Sequence, residues 1–255
     1  MTQRGSVVPV NEEWFLKNAS PGTFFFEENR VGPIASKRNA NLNSVLPLAE
    51  TLRQSILTQV SGWAITKVKL GYKREARSPT MPVLHKYSYM PGVVENVRDI
   101  IHNLQRGVFR LPENESSRSF LTEIFSDIPV SSHYKELLFR DLFEEDESSI
   151  IKNPEQKILT FQDMGFSLTF EFTVEKGVGH RKAKDLRRED RITPDRESLF
   201  SLYVDSEFNP VRAVGFEIES NKLYFRILTN GAVTPEEAYK VGFEVFKSNL
   251  AQESL

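Results

Sequence analysis

Apolar residues in PLAETLRQSILTQV (Pro47–Val60) recur every fourth position, at Leu48, Leu52, Ile56 and Val60, with Leu57 beside them. That spacing draws one stripe along a helix. Pro47 suits its first position and Gly62 its C-terminal cap region. WAITKVKL (Trp63–Leu70) reads next as a strand, GYKREARSPTMP as a polar loop and VLHKYSY as a short strand. In YMPGVVENVRDIIHNL (Tyr89–Leu104), Val94, Val97, Ile101 and Leu104 follow a 3, 4, 3 spacing, with Val93 and Ile100 beside them. This predicts an amphipathic helix entered through a Pro-Gly corner. Glu95, Asn96, Arg98, Asp99, His102 and Asn103 fill its other side, which is either wet or held against another molecule.

Period-2 patterning dominates later. In GFSLTFEFTVE (Gly165–Glu175), Phe166, Leu168, Phe170, Phe172 and Val174 alternate with polar residues, so one face is buried and one wet. EKGVGHRKAKDLRREDRITPDRE follows as a charged, glycine-broken loop, and SLFSLYV as a further strand. VRAVGFEIE and LYFRILT alternate again and predict a hairpin closed by SNK. Near the end Asn230-Gly231 marks a turn. Thr234 is then the N-cap of a last helix, Pro235 its first residue and Glu237 the capping-box partner. Ala238, Val241, Val245 and Phe246 continue its stripe. Between Pro112 and Asn153 the pattern is weak. SSHYKELLFRDLFEEDESS has only faint helical periodicity and ends in the acidic run Glu144–Glu147, whose plain reading is a solvated loop and whose sharper one is a contact to a basic partner.

Composition narrows the function classes. The chain has 255 residues, long enough for one large or two modest domains. Hydrophobic residues make up 39% and mean hydropathy is −0.38, which suits a soluble protein with a real core. With 33 basic against 35 acidic residues the net charge is −2, so a main role in coating nucleic acid is not expected. The absence of cysteine removes disulfides, thiolate metal sites and thiol nucleophiles. No apolar run is long enough to predict a membrane span. MTQRGSVVPVNEEWF has neither a secretory apolar stretch nor transit-peptide character. A protein with this N-terminus working in an organelle is expected to be made there, or to have been processed.

No constellation specifies catalysis, a metal or a cofactor. His85, His102, His133 and His180 lack ligand spacing, and there is no phosphate loop, zinc-protease motif or nucleophile elbow. EKGVGHRK (Glu175–Lys182) is the one phosphate-like fragment. Lys182 stands where a dinucleotide fingerprint needs its third glycine, and the charged segment after it does not fit the required buried helix. A glycine turn presenting backbone to a protein partner is the better functional reading, and a plain turn the bland one. Asn209-Pro210 before VRAVGFEIE reads as a turn that starts the strand.

Six segments in order resemble the N-terminal domain of the α subunit of bacterial-type, multisubunit DNA-directed RNA polymerase. They are LAETLRQSILTQVSGWAITKVKL, LHKYSYMPGVVENVRDIIHNLQ, IIKNPEQKILTF, FTVEKGVGH, LYVDSEFNPVRAVGFEIE and KLYFRILTNGAVTPEEAY, covering most of residues 45–105 and 150–245. The family's glycine and asparagine in the first helix are here Ala49 and Glu50. Its paired arginines are Arg53 and Gln54, the lysine after the NL pair is Gln105, and the aromatic of its glycine turn is His180. Such divergence is expected of an organelle-encoded member. The resemblance therefore implies plastid stroma or bacterial cytoplasm, with the plastid preferred.

The resemblance implies an α+β fold. Residues 1–61 and 188–255 are expected to form a discontinuous dimerisation domain, a sheet plus two long helices, with a mainly β large-subunit-binding domain inserted at 62–187. It implies a non-catalytic scaffold without cofactor or metal. This scaffold homodimerises, docks the large β and β′ subunits, and meets DNA only through the complex. The family's separate C-terminal DNA-binding domain is expected to be missing from this chain. Large-subunit contacts carry over to Arg53, Gln54, Asn103, Gly177, Gly179, Pro210 and Arg212. Leu48, Leu52, Ile56, Val241 and Val245 are candidates for the dimer interface, with the intra-chain core as their other role. A stand-alone nucleic-acid-binding module is the alternative, and near-neutral charge with no basic-aromatic stripe weighs against it.

Overall fold

The computed structural model describes residues 24–28, 42–74, 79–83, 85–126, 134–144, 147, 149–192, 201–219 and 222–253. In chain order the elements are β1 (Phe24–Glu28), α1 (Leu42–Gln59), β2 (Gly62–Lys73), β3 (Met81–Pro82), α2 (Val97–Gln105) and β4 (Ser117–Phe125). Next come β5 (Lys135–Leu138), a 3₁₀ turn (Phe139–Leu142), β6 (Lys157–Phe161), β7 (Ser167–Gly177), β8 (His180–Arg181) and α3 (Ala183–Ile192). β9 (Leu202–Tyr203), β10 (Ser206–Glu207), β11 (Val211–Glu219), β12 (Lys222–Thr229) and α4 (Pro235–Glu253) complete the described chain. The architecture is α+β, with antiparallel sheets, and the chain packs as two units.

The first unit joins both ends of the chain, Met1–Ser61 with Asn209–Leu255. Its sheet runs β1-β12-β11. Val214, Phe225 and Ile227 of that sheet meet Ala49, Leu52 and Ile56 of α1, Val60 just after it, and Ala238, Tyr239 and Phe246 of α4 in one core. The helices touch backbone to backbone. A Cβ on Gly242 would lie 2.6 Å from the Ile56 Cα, so only glycine permits this approach. The capping box at the head of α4 is present: Thr234 N donates to Glu237 Oε2 at 2.8 Å and Glu237 N to Thr234 Oγ1 at 3.1 Å. α1 begins at Leu42, so Pro47 lies inside the helix rather than at its first position.

The second unit spans Gly62–Phe208 around a five-stranded antiparallel sheet, β3-β2-β7-β4, with β9 also pairing β2. Leu168, Phe170, Phe172 and Val174 of β7 turn inward as the alternation predicts. They join a phenylalanine-rich core with Phe109, Phe120, Phe139 and Phe161. The second crossing between units falls at Phe208/Asn209, not at 187/188. A bulge in β2 between Ile65 and Lys67 explains the difference. It frees the Thr66 carbonyl to accept from Val204 N at 3.1 Å and the Ile65 carbonyl to accept from Ser206 Oγ at 2.8 Å, which ties residues 202–208 to this unit.

Four sequence expectations shift. The amphipathic helix starts at Val97, because Val93 bridges to Phe161 and the Asn96 side chain caps the helix by accepting from Asp99 N. The strand expected at VLHKYSY lies just before it, at Met81–Pro82, and among the described residues of VLHKYSY His85–Ser88 closes a turn. Among the described residues, 112–153 hold strands β4 and β5 and the 3₁₀ turn in place of the faint helix. On β4 the pattern is disguised because Leu121 and Phe125 face outward, 70% and 64% exposed, while Phe120 points in. The charged segment after β7 contains helix α3, anchored by buried Leu186. Of SLFSLYV, Leu202–Tyr203 forms a strand and residues 198–200 lie outside the described ones.

Candidate functional site

Two groups of residues emerge, one in each unit. In the first unit, Arg53 sits half-buried at the edge of the buried stripe of α1. Its guanidinium forks onto Glu50, Nε to Oε2 at 2.9 Å and Nη2 to Oε1 at 2.6 Å. Gln54 Nε2 donates to the same Oε1 at 3.0 Å. These bonds, Arg53 first and Gln54 second, hold the Glu50 carboxyl down to about 2, and the pairing raises Arg53 above its ordinary value. The outcome is a preorganised, charge-balanced cluster one helical turn long. Glu50 was legible only as a departure from the family pattern. A carboxylate three residues before an arginine on a helix was the signal for it.

One turn further along α1 the Leu57 carbonyl accepts from Asn209 Nδ2 at 2.6 Å, and Asn209 Oδ1 accepts from Val211 N at 3.0 Å. Asn209 thereby latches the start of β11 to α1. Pro210 beside it is buried, and its carbonyl accepts from Asn230 N at 2.8 Å. Arg212 is exposed at the next turn of the strand.

In the second unit, Asn103 does not face open solvent. Its Nδ2 donates to the Ile158 carbonyl at 2.9 Å, locking α2 to β6. Gln105, where the family has lysine, donates to the Asp205 carbonyl. Glu95 is also taken: it accepts from Thr160 N at 2.6 Å and pairs with Lys157 at 3.1 Å, which raises the Lys157 ammonium. The wet part of this polar side is Arg98, Asp99 and His102. Gly177 approaches Phe208 so closely that a Cβ would lie 2.8 Å from the ring, which makes it a packing glycine. Gly179 turns the chain between β7 and β8 at φ +68 with open space around it, and its carbonyl accepts from Phe208 N at 2.9 Å.

Of the dimer candidates, Leu52 and Ile56 are 4% and 0% exposed in a single chain, so they belong to the first unit's own core. Val241 is 42% exposed on the free side of α4, and Val245 is half-buried one turn on. The Leu48 side chain lies outside the described residues. Among the described residues, no helix is long and apolar enough to cross a membrane.

Residues 66–209 match the family described as the RNA polymerase Rpb3/RpoA insert domain. The chain is 32% identical over 212 residues to the DNA-directed RNA polymerase subunit alpha of Thermus thermophilus, covering 80% of this chain and 59% of that protein. It is similarly 32% identical over 212 residues to the subunit alpha of Heliobacterium modesticaldum, with the same coverage. To that of Symbiobacterium thermophilum it is 31% identical over 214 residues, covering 80% of this chain and 60% of that protein. The chain thus spans less than two thirds of the length of the curated relatives it matches.

Proposed function

The chain belongs to the bacterial-type RNA polymerase α-subunit family, and we propose that it acts as a non-catalytic assembly scaffold that pairs with a second copy of itself and docks the two large subunits, β and β′, of the polymerase. The observation that carries this reading is the insert-domain match over 66–209, lying within a chain whose two ends fold together as one unit. Its role in nucleotidyl transfer is then structural, and it meets DNA only through the complex. The relatives are bacterial, and divergence by itself does not distinguish compartments. The plastid preference therefore has no support, and bacterial cytoplasm and plastid stroma both fit.

Within this reading the half-buried Arg53 and Gly179 and the exposed Gln54 and Arg212 form the large-subunit contacts, while Asn103, Gly177 and Pro210 hold the backbone that presents them. The dimer face is the outer side of α4 at Val241 and Val245 together with Leu48, backed by the core residues Leu52 and Ile56. An obligate homodimer interface needs roughly 2,000 Å² of largely apolar surface, so further residues flank these three.

Native mass measurement tests the pairing: a species near twice 29.3 kDa is expected, copurifying with two very large subunits. A stable monomer without them would overturn the reading. Arg53→Ala should leave the dimer intact and weaken large-subunit recruitment about tenfold, the worth of a charge-assisted bond. Loss of dimerisation alone would place Arg53 on the wrong face.

A further inference from the structure

Helix α3 carries a line of cations that form no ion pair among the described residues. Lys184, Arg187 and Arg188 fall at i, i+3 and i+4 on the side opposite buried Leu186, and position 191, also arginine, extends the same spacing. Lys184, Arg187 and Arg188 are exposed, as is Lys182 just before the helix, and none of the four has an ion pair among the described residues. Elsewhere in this unit Lys69, Arg118, Arg140, Lys157 and Arg181 each pair with a carboxylate. Arg181 also takes up two carboxylates of this region, pairing with Glu175 at 3.3 Å and with Glu189. Asp205 Oδ1 accepts from Ala183 N at 2.8 Å and holds the head of the helix in place.

We propose that this face of α3 is a docking surface for a carboxylate-rich segment of a partner polypeptide. Arginine forks match carboxylates in pairs, and two of the three described stripe positions are arginine. From Lys184 to Arg188 the helix rises about 6 Å, the reach of roughly two residues of extended peptide. Nucleic acid is the poorer fit. Phosphate-backbone binding draws its affinity from several neutralised phosphates, on the order of 6–10 in strong binders, and a stripe this short cannot supply them. The overall charge of −2 adds no attraction.

The test uses the full chain and a fluorescein-labelled octaglutamate peptide, followed by anisotropy at low salt, with a short DNA duplex as competitor. Arg187→Glu/Arg188→Glu should weaken octaglutamate binding about tenfold or more. Arg98→Glu, reversing an exposed cation on α2, should leave it unchanged. If the double reversal disturbs the near-ultraviolet circular dichroism, Arg187→Gln/Arg188→Gln reads the same loss without repulsion. Binding unchanged by these substitutions overturns the proposal. So does tighter binding of the duplex than of octaglutamate, which would assign the face to nucleic acid. The assay needs neither the large subunits nor the dimer, so its failure is distinct from failure of the scaffold reading.

Discussion

At Arg53 the decisive neighbour is Glu50, three residues earlier. An isolated arginine on a helix spends entropy before it docks, because its side chain samples many rotamers. Forked onto Glu50, with Gln54 bracing the same carboxylate, Arg53 is presented in one geometry. The family's second arginine is replaced here by a residue that serves the first. The pairing has a pH signature. The Glu50 carboxyl sits at about 2 against its ordinary 4.5. A lowered value means the pairing contributes fully above the ordinary value and is lost as pH falls through the lowered one. The Glu50 side-chain carboxyl resonance should therefore titrate near pH 2, with Arg53 still held at pH 4. A midpoint between 4 and 5 would show that the fork does not persist in solution. The group is solvent-exposed, so its effect is on positioning rather than on global stability.

At the scale of elements, what was legible in the sequence was what one face alone decides. β7 alternates because one side is buried and the other wet, and Leu168, Phe170, Phe172 and Val174 turn inward together. The head of α4 is legible because a capping box is local chemistry, so Thr234→Ala should lower stability by about 1 kcal/mol in denaturant unfolding. β4 was not legible. An outward Leu121 and Phe125 break the alternation that Phe120 and Ile124 otherwise carry, and its assignment as a strand rests on pairing with β7, far away in sequence. The start of α2 was missed for the same reason, since the partner that pulls Val93 out of the helix is Phe161. Neither the Asn103–Ile158 bond nor the contact of Gly177 with Phe208 has a local signal. Gly242 lies among good helix residues, and only the crossing with Ile56 gives it a reason. Gly242→Ala must push apart two backbones, not one flexible side chain. A loss of about 1–3 kcal/mol is expected, with a lower thermal midpoint. A neutral or stabilising outcome, as helix propensity alone predicts, would show that α1 and α4 are not packed this closely.

For the whole molecule, the arrangement of cores sets how it comes apart. Each unit owns a separate hydrophobic cluster: the second is drawn entirely from residues between Trp63 and Val204, the first from α1, the β11–β12 hairpin and α4. The second unit is continuous in the chain, so its strands close without help from either end. The first must bring residues about 150 positions apart into contact before its core forms, and loop closure over that span costs entropy that only the assembled core offsets. Removing α4, residues 235–253, takes Ala238, Tyr239 and Phe246 out of that core and leaves Ile56 and Phe225 exposed on one side. Hydrogen exchange should then show lost protection along α1, β11 and β12, while β2 and β7 keep theirs. Uniform loss across both units would show that the second depends on the first for its fold. If protection is lost only in the first unit, the insert can fold first and the two chain ends follow. Self-association of the scaffold would then wait on completion of the α1–α4 crossing, because the proposed dimer face at Val241 and Val245 lies on the helix that completes it.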